Sequence, residues 1–419
     1  MMHQFTFAVA LYLSATTLYA GDWTGFRGPT GQGHAAETNL PVVWDAEKNV
    51  VWKIPIPGLG WSSPIILGGR IYVTTAVSPK GFRDPDQSLR VLCISEETGD
   101  VIWDKEIFAQ VSVDGKTDRV HSKNSQASPT PVTDGRQIYV HFGTRGTAAL
   151  TTDGEIVWKN QELKYAPVHG NGGSPILAGE LLVMSCDGGD VDFIVALNRK
   201  TGQIAWKTDR TIVKIPKKFA FGTPLLIDVD GEQQIISQAS GFVYSYNLAG
   251  EMIWKVNYGG GYSVIPRPVF AHGLVYVSSS YDRPVFYAID PSGNGDVTGT
   301  HVRWTLDRNA PHTPSPLVVG DEVYVVSDRG IVTCCDAKTG TVHWAERIGG
   351  KHSSSPLAAD GKIYIQAEEG ETIILKPGRE FEEIGRNRLE PRTFASYAVS
   401  GTSLFIRTEK QLYRISDAN

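Results

Sequence analysis

Ala196-Leu197-Asn198-Arg199-Lys200-Thr201-Gly202-Gln203-Ile204-Ala205-Trp206 is the stretch on which the fold turns. It ends an apolar run with a polar turn, places Gly at the corner and returns through a strand to Trp. Close copies end at Trp103 (from Cys93, through Thr98-Gly99) and Trp344 (from Cys334, through Thr339-Gly340). Looser copies run from Ala149 through Gly154 to Trp158 and from Ser245 through Gly250 to Trp254, and one with a longer turn runs from Ala288 to Trp304. Recurrence at a fixed period of roughly 40–55 residues means an array of like units rather than one irregular core.

One unit is legible in residues 312–349. Leu317-Val318-Val319 is a short strand. Glu322 to Val326 alternates with β-branched and aromatic residues, Ile331 to Cys335 follows a Gly turn, and Thr341 to Ala345 follows the Asp336–Gly340 turn. Four short antiparallel strands joined by polar turns make a propeller blade. Blade openings fall at Trp61-Ser62-Ser63-Pro64, Gln126-Ala127-Ser128-Pro129, Gly172-Gly173-Ser174-Pro175 and Phe221-Gly222-Thr223-Pro224. They continue at Ile265-Pro266-Arg267-Pro268, Thr313-Pro314-Ser315-Pro316 and Ser353-Ser354-Ser355-Pro356, with an eighth at Ala395-Ser396-Tyr397 that lacks the Pro. The last unit has three strands, and Val50 to Ile56 reads as a free outer strand. The chain is therefore expected to be all-β: an eight-bladed propeller of four-stranded antiparallel blades, with the N-terminal strand completing the last blade and removing two open sheet edges.

No Pro- or Ser-rich linker divides the 419 residues. The expected organisation is a signal peptide over 1–20, an N-terminal arm over 21–49 and one propeller over 50–419. Phe5 to Leu18 is apolar and runs into Leu18-Tyr19-Ala20, which suits export and cleavage after Ala20. No Cys lies near that point to carry a lipid, and the mature chain has no transmembrane stretch, so a periplasmic or secreted monomer is expected. A net charge of −5 without a Lys/Arg block argues against nucleic acid as a partner. Cys93 and Cys334 occupy the small-residue slot of Ala196, Cys186 has no mate, and adjacent Cys334 and Cys335 on a strand point to opposite faces. Four free, buried thiols are expected.

The 196–206 phrase and its copies resemble the tryptophan-docking repeat of pyrroloquinoline-quinone-type β-propellers, a superfamily that includes quinoprotein alcohol dehydrogenases and the propeller lipoprotein of the outer-membrane barrel-assembly machine. Trp23…Phe26-Arg27-Gly28-Pro29, Val168 to Pro175, Cys186-Asp187-Gly188, Arg267 to Phe270, Tyr281 to Pro284 and Pro311 to Pro316 resemble exported bacterial PQQ-binding-like repeat proteins. The resemblance implies the fold strongly and the chemistry weakly. A quinoprotein dehydrogenase would need a calcium-held quinone and an Asp base. This chain has no Cys-x-x-Cys-His and no large insertion between blades, so no cofactor is expected, with PQQ and calcium as the alternative.

Propeller ligands bind on the axis, and the segments ahead of each blade line its mouth. They supply His121, Lys123, Asn124, His169, Asn171, Arg267, His312 and His352 as candidate ligand-binding residues. No catalytic or metal residue is assigned. Gly28 to Gly33 lacks the Lys-Ser/Thr of a phosphate loop and reads as a mobile arm, and the acidic runs at Glu368 and Glu380 read as solvated turns. The expected function is an exported non-catalytic scaffold binding a protein, peptide or small ligand of the cell envelope through its axial face. The alternative is a PQQ-dependent oxidoreductase with an axial cofactor.

Overall fold

The structure, a computed structural model, describes residues 21–78, 86–110, 120–210 and 217–417. The expected signal peptide lies outside them. Eight sheets follow one another, each built on four antiparallel strands; in the first seven these run in chain order from the axis outward, and the fourth gains a fifth, parallel strand at its outer edge. The first blade is Ile65–Leu67, Arg70–Val77, Gln87–Ser95 and Val101–Gln110; the sixth is Leu317–Val319, Glu322–Val326, Ile331–Asp336 and Val342–Arg347. The eighth is assembled from both chain ends. Val50–Pro55 pairs with Gln411–Ile415, outside Ser403–Arg407 and Ala398–Ser400. Joining first strand to last leaves no open gap in the ring.

The repeated phrase is the staple between blades. Trp158 Nε1 donates to Arg199 O of the third blade at 2.9 Å, Trp206 to Leu248 O of the fourth at 2.9 Å, and Trp344 to Gly378 O of the seventh at 3.1 Å. Trp158 and Trp206 each lie over the corner Gly of the following blade, Gly202 and Gly250. Gly202 has φ +73°, and a Cβ there would sit 2.4 Å from Trp158 Cε3. The Gly is thus needed twice, for a left-handed backbone and for room. Gly231 also has positive φ, with nothing within 4 Å of an added Cβ. Gly202→Ala should therefore cost roughly 1–2 kcal/mol more than Gly231→Ala by overpacking, read by chemical denaturation. Equal costs would mean the indole is not docked.

Trp254 departs from the pattern. It is fully buried, and Nε1 donates to Gln234 Oε1 of its own blade at 3.0 Å. The longer turn after Ile289 explains this: Gly295–Asp296 pairs in parallel with the outer strand of the fourth blade, and Gly295 lies opposite Trp254. Cys93, Ala196 and Cys334 each pair with the Trp of their own blade, Trp103, Trp206 and Trp344. All four cysteines are free and buried.

Two readings of the sequence need correction. The second blade opens at Thr130-Pro131, because its first strand is Val132–Thr133; Ser128-Pro129 stands two residues earlier. Nor does the arm over 21–49 dangle. Trp23 bridges Ile66 of the first blade, Thr24 O accepts from the Thr133 N–H of the second, and His34 bridges Ala358 of the seventh. Trp44 N–H then donates to Asn387 Oδ1 before the chain enters the eighth blade. The inner strands carry unpaired edges along the axis, and the arm covers several of them. Gly28 to Gly33, though free of a phosphate-loop signature, forms the tight part of this crossing.

Candidate axial site

The Ser/Thr ahead of each inner strand forms a ring around the axis. Ser63 N–H donates to Thr130 Oγ1 at 2.9 Å, Thr130 N–H to Ser174 Oγ at 2.9 Å and Ser174 N–H to Thr223 Oγ1 at 3.0 Å. Arg267 N–H donates to Ser315 Oγ at 2.9 Å, Ser315 N–H to Ser355 Oγ at 3.1 Å, Ser355 N–H to Ser396 Oγ at 2.9 Å and Ser396 N–H back to Ser63 Oγ at 3.1 Å. Seven of the eight blades hand one backbone donor to the next blade's hydroxyl. The Pro that follows in seven of the eight units has no N–H, so the ring hydroxyl is not drawn into capping it.

Arg267 is the exception at the eighth position. It offers no acceptor. Nε donates to Pro224 O at 3.1 Å and Nη1 to Phe26 O at 2.5 Å. Its guanidinium lies under Gly31, where an added Cβ would meet Nη1 at 2.3 Å. The residue that breaks the hydroxyl circle is the residue that pins the arm. Arg27, fully enclosed, donates from Nη2 to Pro316 O at 2.7 Å. Burial, reinforced by Arg267, lowers its pKa from the usual value to about 9; burial alone does the same to Arg267.

Above the ring is a cavity of about 320 Å³. All seven ring hydroxyls line it, Phe26 of the arm is part of its wall, and so are the residues two positions before each ring residue. Those upper positions vary: Trp61, Phe221 and Phe394 are aromatic, Ile265 aliphatic, Ser128, Thr313 and Ser353 hydroxylic, and Gly172 bare. An alternating backbone points residues two apart to the same side. The lower ring is thus structural and nearly uniform, and the upper ring gives the cavity its character.

An aromatic belt runs around one side of the mouth. His121 lies 5.3 Å from His169, His169 5.3 Å from Phe219, Phe219 5.6 Å from Tyr262, Tyr262 6.1 Å from Tyr281 and Tyr281 4.6 Å from His312, ring centre to ring centre. Trp61 and Phe394 meet edge-on at 4.6 Å. Burial first, then His121 and Lys217, lowers the pKa of His169 from its ordinary value, which favours the neutral imidazole at neutral pH. Lys123 Nζ reaches Glu368 Oε1 of the seventh blade at 2.6 Å, and Ser353 Oγ donates to the same oxygen at 2.6 Å. Glu368 is only 8% exposed. The acidic run at 368 is therefore no solvated turn at its first residue; it holds a link between the second and seventh blades.

Of the candidates read from sequence, His121, Lys123, Asn124 and His169 line the cavity. The other four stand elsewhere. His312 joins the belt through Tyr281, with Nδ1 3.3 Å from Asp328 Oδ2. His352 is fully buried between the carbonyls of Gln366 and Gly349. Asn171 is buried, accepting from the Tyr165 hydroxyl at 2.9 Å and packed against Gly143. Arg267 is spent on the arm. Polar residue type drew attention to these four, but His352, Asn171 and Arg267 are engaged by backbone carbonyls or buried side chains, and His312 faces the Asp328 carboxylate of its own blade. Phe221 and Phe394 of the upper ring were missed. Their signal was the offset of two residues before the Ser/Thr-Pro, visible once the blades are in register.

A calcium-held quinone requires carboxylate and amide oxygens together. No lining residue is Asp or Glu, and Asn124 supplies the cavity's one side-chain amide. No group of three or more His, Cys, Asp or Glu among the described residues could hold a metal ion. Cys334 and Cys335 sit in the third strand of the sixth blade, opposite Tyr324 and Val323, outside the cavity. The residues present do not fit a calcium–quinone pair.

The comparisons with known proteins agree on the fold. An outer membrane protein assembly factor BamB from Moranella endobia is 24% identical over 317 residues, 73% of this chain and 69% of that protein. A BamB from Marinobacter adhaerens is 30% identical over 105 residues, 24% of this chain and 26% of its own length. The crystal structure of BamB from Moraxella catarrhalis superposes with a TM-score of 0.60 at 13% identity, covering 87% of this chain and 99% of that one. Quinohemoprotein alcohol dehydrogenase ADHIIG from Pseudomonas putida HK5 superposes with a TM-score of 0.54 at 14% identity, covering 95% and 81%. The family described as outer membrane protein assembly factor BamB matches residues 49–291 and 294–377. Residues 49–377 thus carry the family's repeats almost without a break, and the chain belongs to that family.

Proposed function

We propose that this protein is an exported, non-catalytic scaffold that binds a partner polypeptide at its axial mouth. The observation that carries the reading is the composition of the cavity: an upper ring of mixed aromatic and polar residues over a hydroxyl ring, with no carboxylate among the lining residues to act as base or to hold a metal. Assembly-factor relatives support a binding role over a chemical one. The expected setting is the periplasm or the medium, the expected state a monomer after removal of residues 1–20. No helix among the described residues is long and apolar enough to cross a membrane.

A photo-reactive amino acid at His121 or Tyr281, compared with one at exposed Val101 or Val342 on outer strands, tests this in the cells that make the protein. Crosslinks to polypeptide should form from the mouth and be absent from the outer positions. Crosslinks confined to the outer strands would overturn the axial reading. Oxidation of alcohols by the purified protein on adding pyrroloquinoline quinone and calcium would overturn the non-catalytic reading.

A further inference from the structure

Each ring hydroxyl has at least one of its two acceptor lone pairs engaged by a backbone N–H, from the preceding blade or from Arg267. A hydroxyl also carries one donor. Ser355 gives its proton to Ser315 Oγ at 2.9 Å. The other six hydroxyls donate to no protein acceptor among the described residues, and all of them line the cavity. Their O–H groups are free to turn towards an occupant of the cavity. Beneath them lie the guanidinium groups of Arg27 and Arg267, with no salt bridge to either among the described residues, and Arg27 Nε and Nη1 are buried without a partner. The base of the cavity is thus a set of donors under positive potential, and it asks for an acceptor-rich, anionic group.

The walls ask for something else. Phe219, Phe221, Trp61 and Phe394 give an apolar sleeve above the donors. The arm crosses below with Phe26 in the wall, so the cavity is a well rather than a through channel. An extended segment cannot thread it; only an end or a side chain can enter. Asp and Glu side chains offer a carboxylate without an apolar body. An N-terminal amine brings the wrong charge. A polypeptide's C-terminal residue with an apolar side chain brings both parts, a carboxylate for the ring and a body for the sleeve.

We propose that the axial well captures the free C-terminal carboxylate of a partner polypeptide whose last residue is apolar. This rests on the scaffold reading above. The test uses the purified full-length mature chain and an N-acetylated, fluorescently labelled hexapeptide ending in leucine, made as the free acid and as the amide. Anisotropy titration should give at least tenfold tighter binding for the acid. Thr223→Val, which keeps the shape but removes one donor and with it the acceptor of the Ser174 N–H, should narrow that ratio severalfold. Val342→Glu on an outer strand should leave it unchanged.

Equal affinity of acid and amide, or binding of neither, overturns the proposal; because it is measured on the unaltered protein, a variant that fails to fold cannot obscure it. Isovalerate binding as tightly as the peptide would also overturn it, by making a small acid the occupant. Mouth crosslinks to polypeptide with an acid-to-amide ratio of one would sink this inference and leave the scaffold standing; no mouth crosslinks at all would sink the scaffold reading itself.

Discussion

Arg210→Met is expected to lower the free energy of unfolding by about 3–5 kcal/mol, a larger effect than the loss of any surface ion pair in the molecule. Arg210 and Asp187 have side chains only 1% exposed each, with Nη1 2.5 Å from Oδ2. Nη2 also donates to the Ser237 hydroxyl of the fourth blade, so the group ties the third blade to the fourth. Burial pushes the Asp187 carboxyl up to about 7, with Arg210 working against it. Removing the guanidinium leaves that carboxyl buried without its ion-pair partner; Lys218, the other cation that lowers its pKa, is itself paired with Asp192. The double change Arg210→Met with Asp187→Leu should recover much of the loss, since two apolar groups leave no stranded charge. Urea denaturation of the three chains measures this. A single variant within 1 kcal/mol of the unaltered protein would show that water reaches the site.

The Cys186-Asp187-Gly188 phrase shows what the sequence could and could not disclose. It was among the phrases that carry the family resemblance, yet nothing in it pointed to Arg210, which lies beyond the next two strands. Blade count, closure by the N-terminal strand and the packing of Cys93 and Cys334 were legible because they depend on local period and on the size of one recurring slot. The exceptions were not. Arg267 sat in plain view in a column of Ser and Thr, but its partner, the arm, has no repeat to register against. Glu368 looked like part of a solvated acidic turn because the Lys123 that pairs with it is 245 residues away. Contacts across the axis are non-local, and periodicity carries no information about them. The upper ring of mixed aromatic and polar residues lay between these cases. It follows from the strand period once the Ser/Thr-Pro register is right, and an error of two residues in the second blade hid it there.

His141 sets the acid limit of the fold. It lies in the second strand of the second blade, 2% exposed, with Nδ1 2.8 Å from Thr147 Oγ1. Burial lowers its pKa from 6.5 to about 4. The folded state therefore holds fewer protons at this group than the unfolded chain does between those values. Its stabilising contribution is complete above pH 6.5 and is lost as pH falls towards 4, by about 3 kcal/mol for a shift of that size. Asp187, raised to about 7 by the same kind of burial, works in the opposite direction over an overlapping range. The bare pH profile of the protein will therefore look flatter than either group alone would make it. His141→Gln isolates the imidazole: it retains a partner for Thr147 and cannot charge. The stability of the unaltered protein minus that of the variant should fall by about 3 kcal/mol between pH 7 and pH 4, read from urea midpoints at each pH. A difference that stays level would mean that His141 charges in place, and that the interior of the second blade admits a counterion or water on acidification.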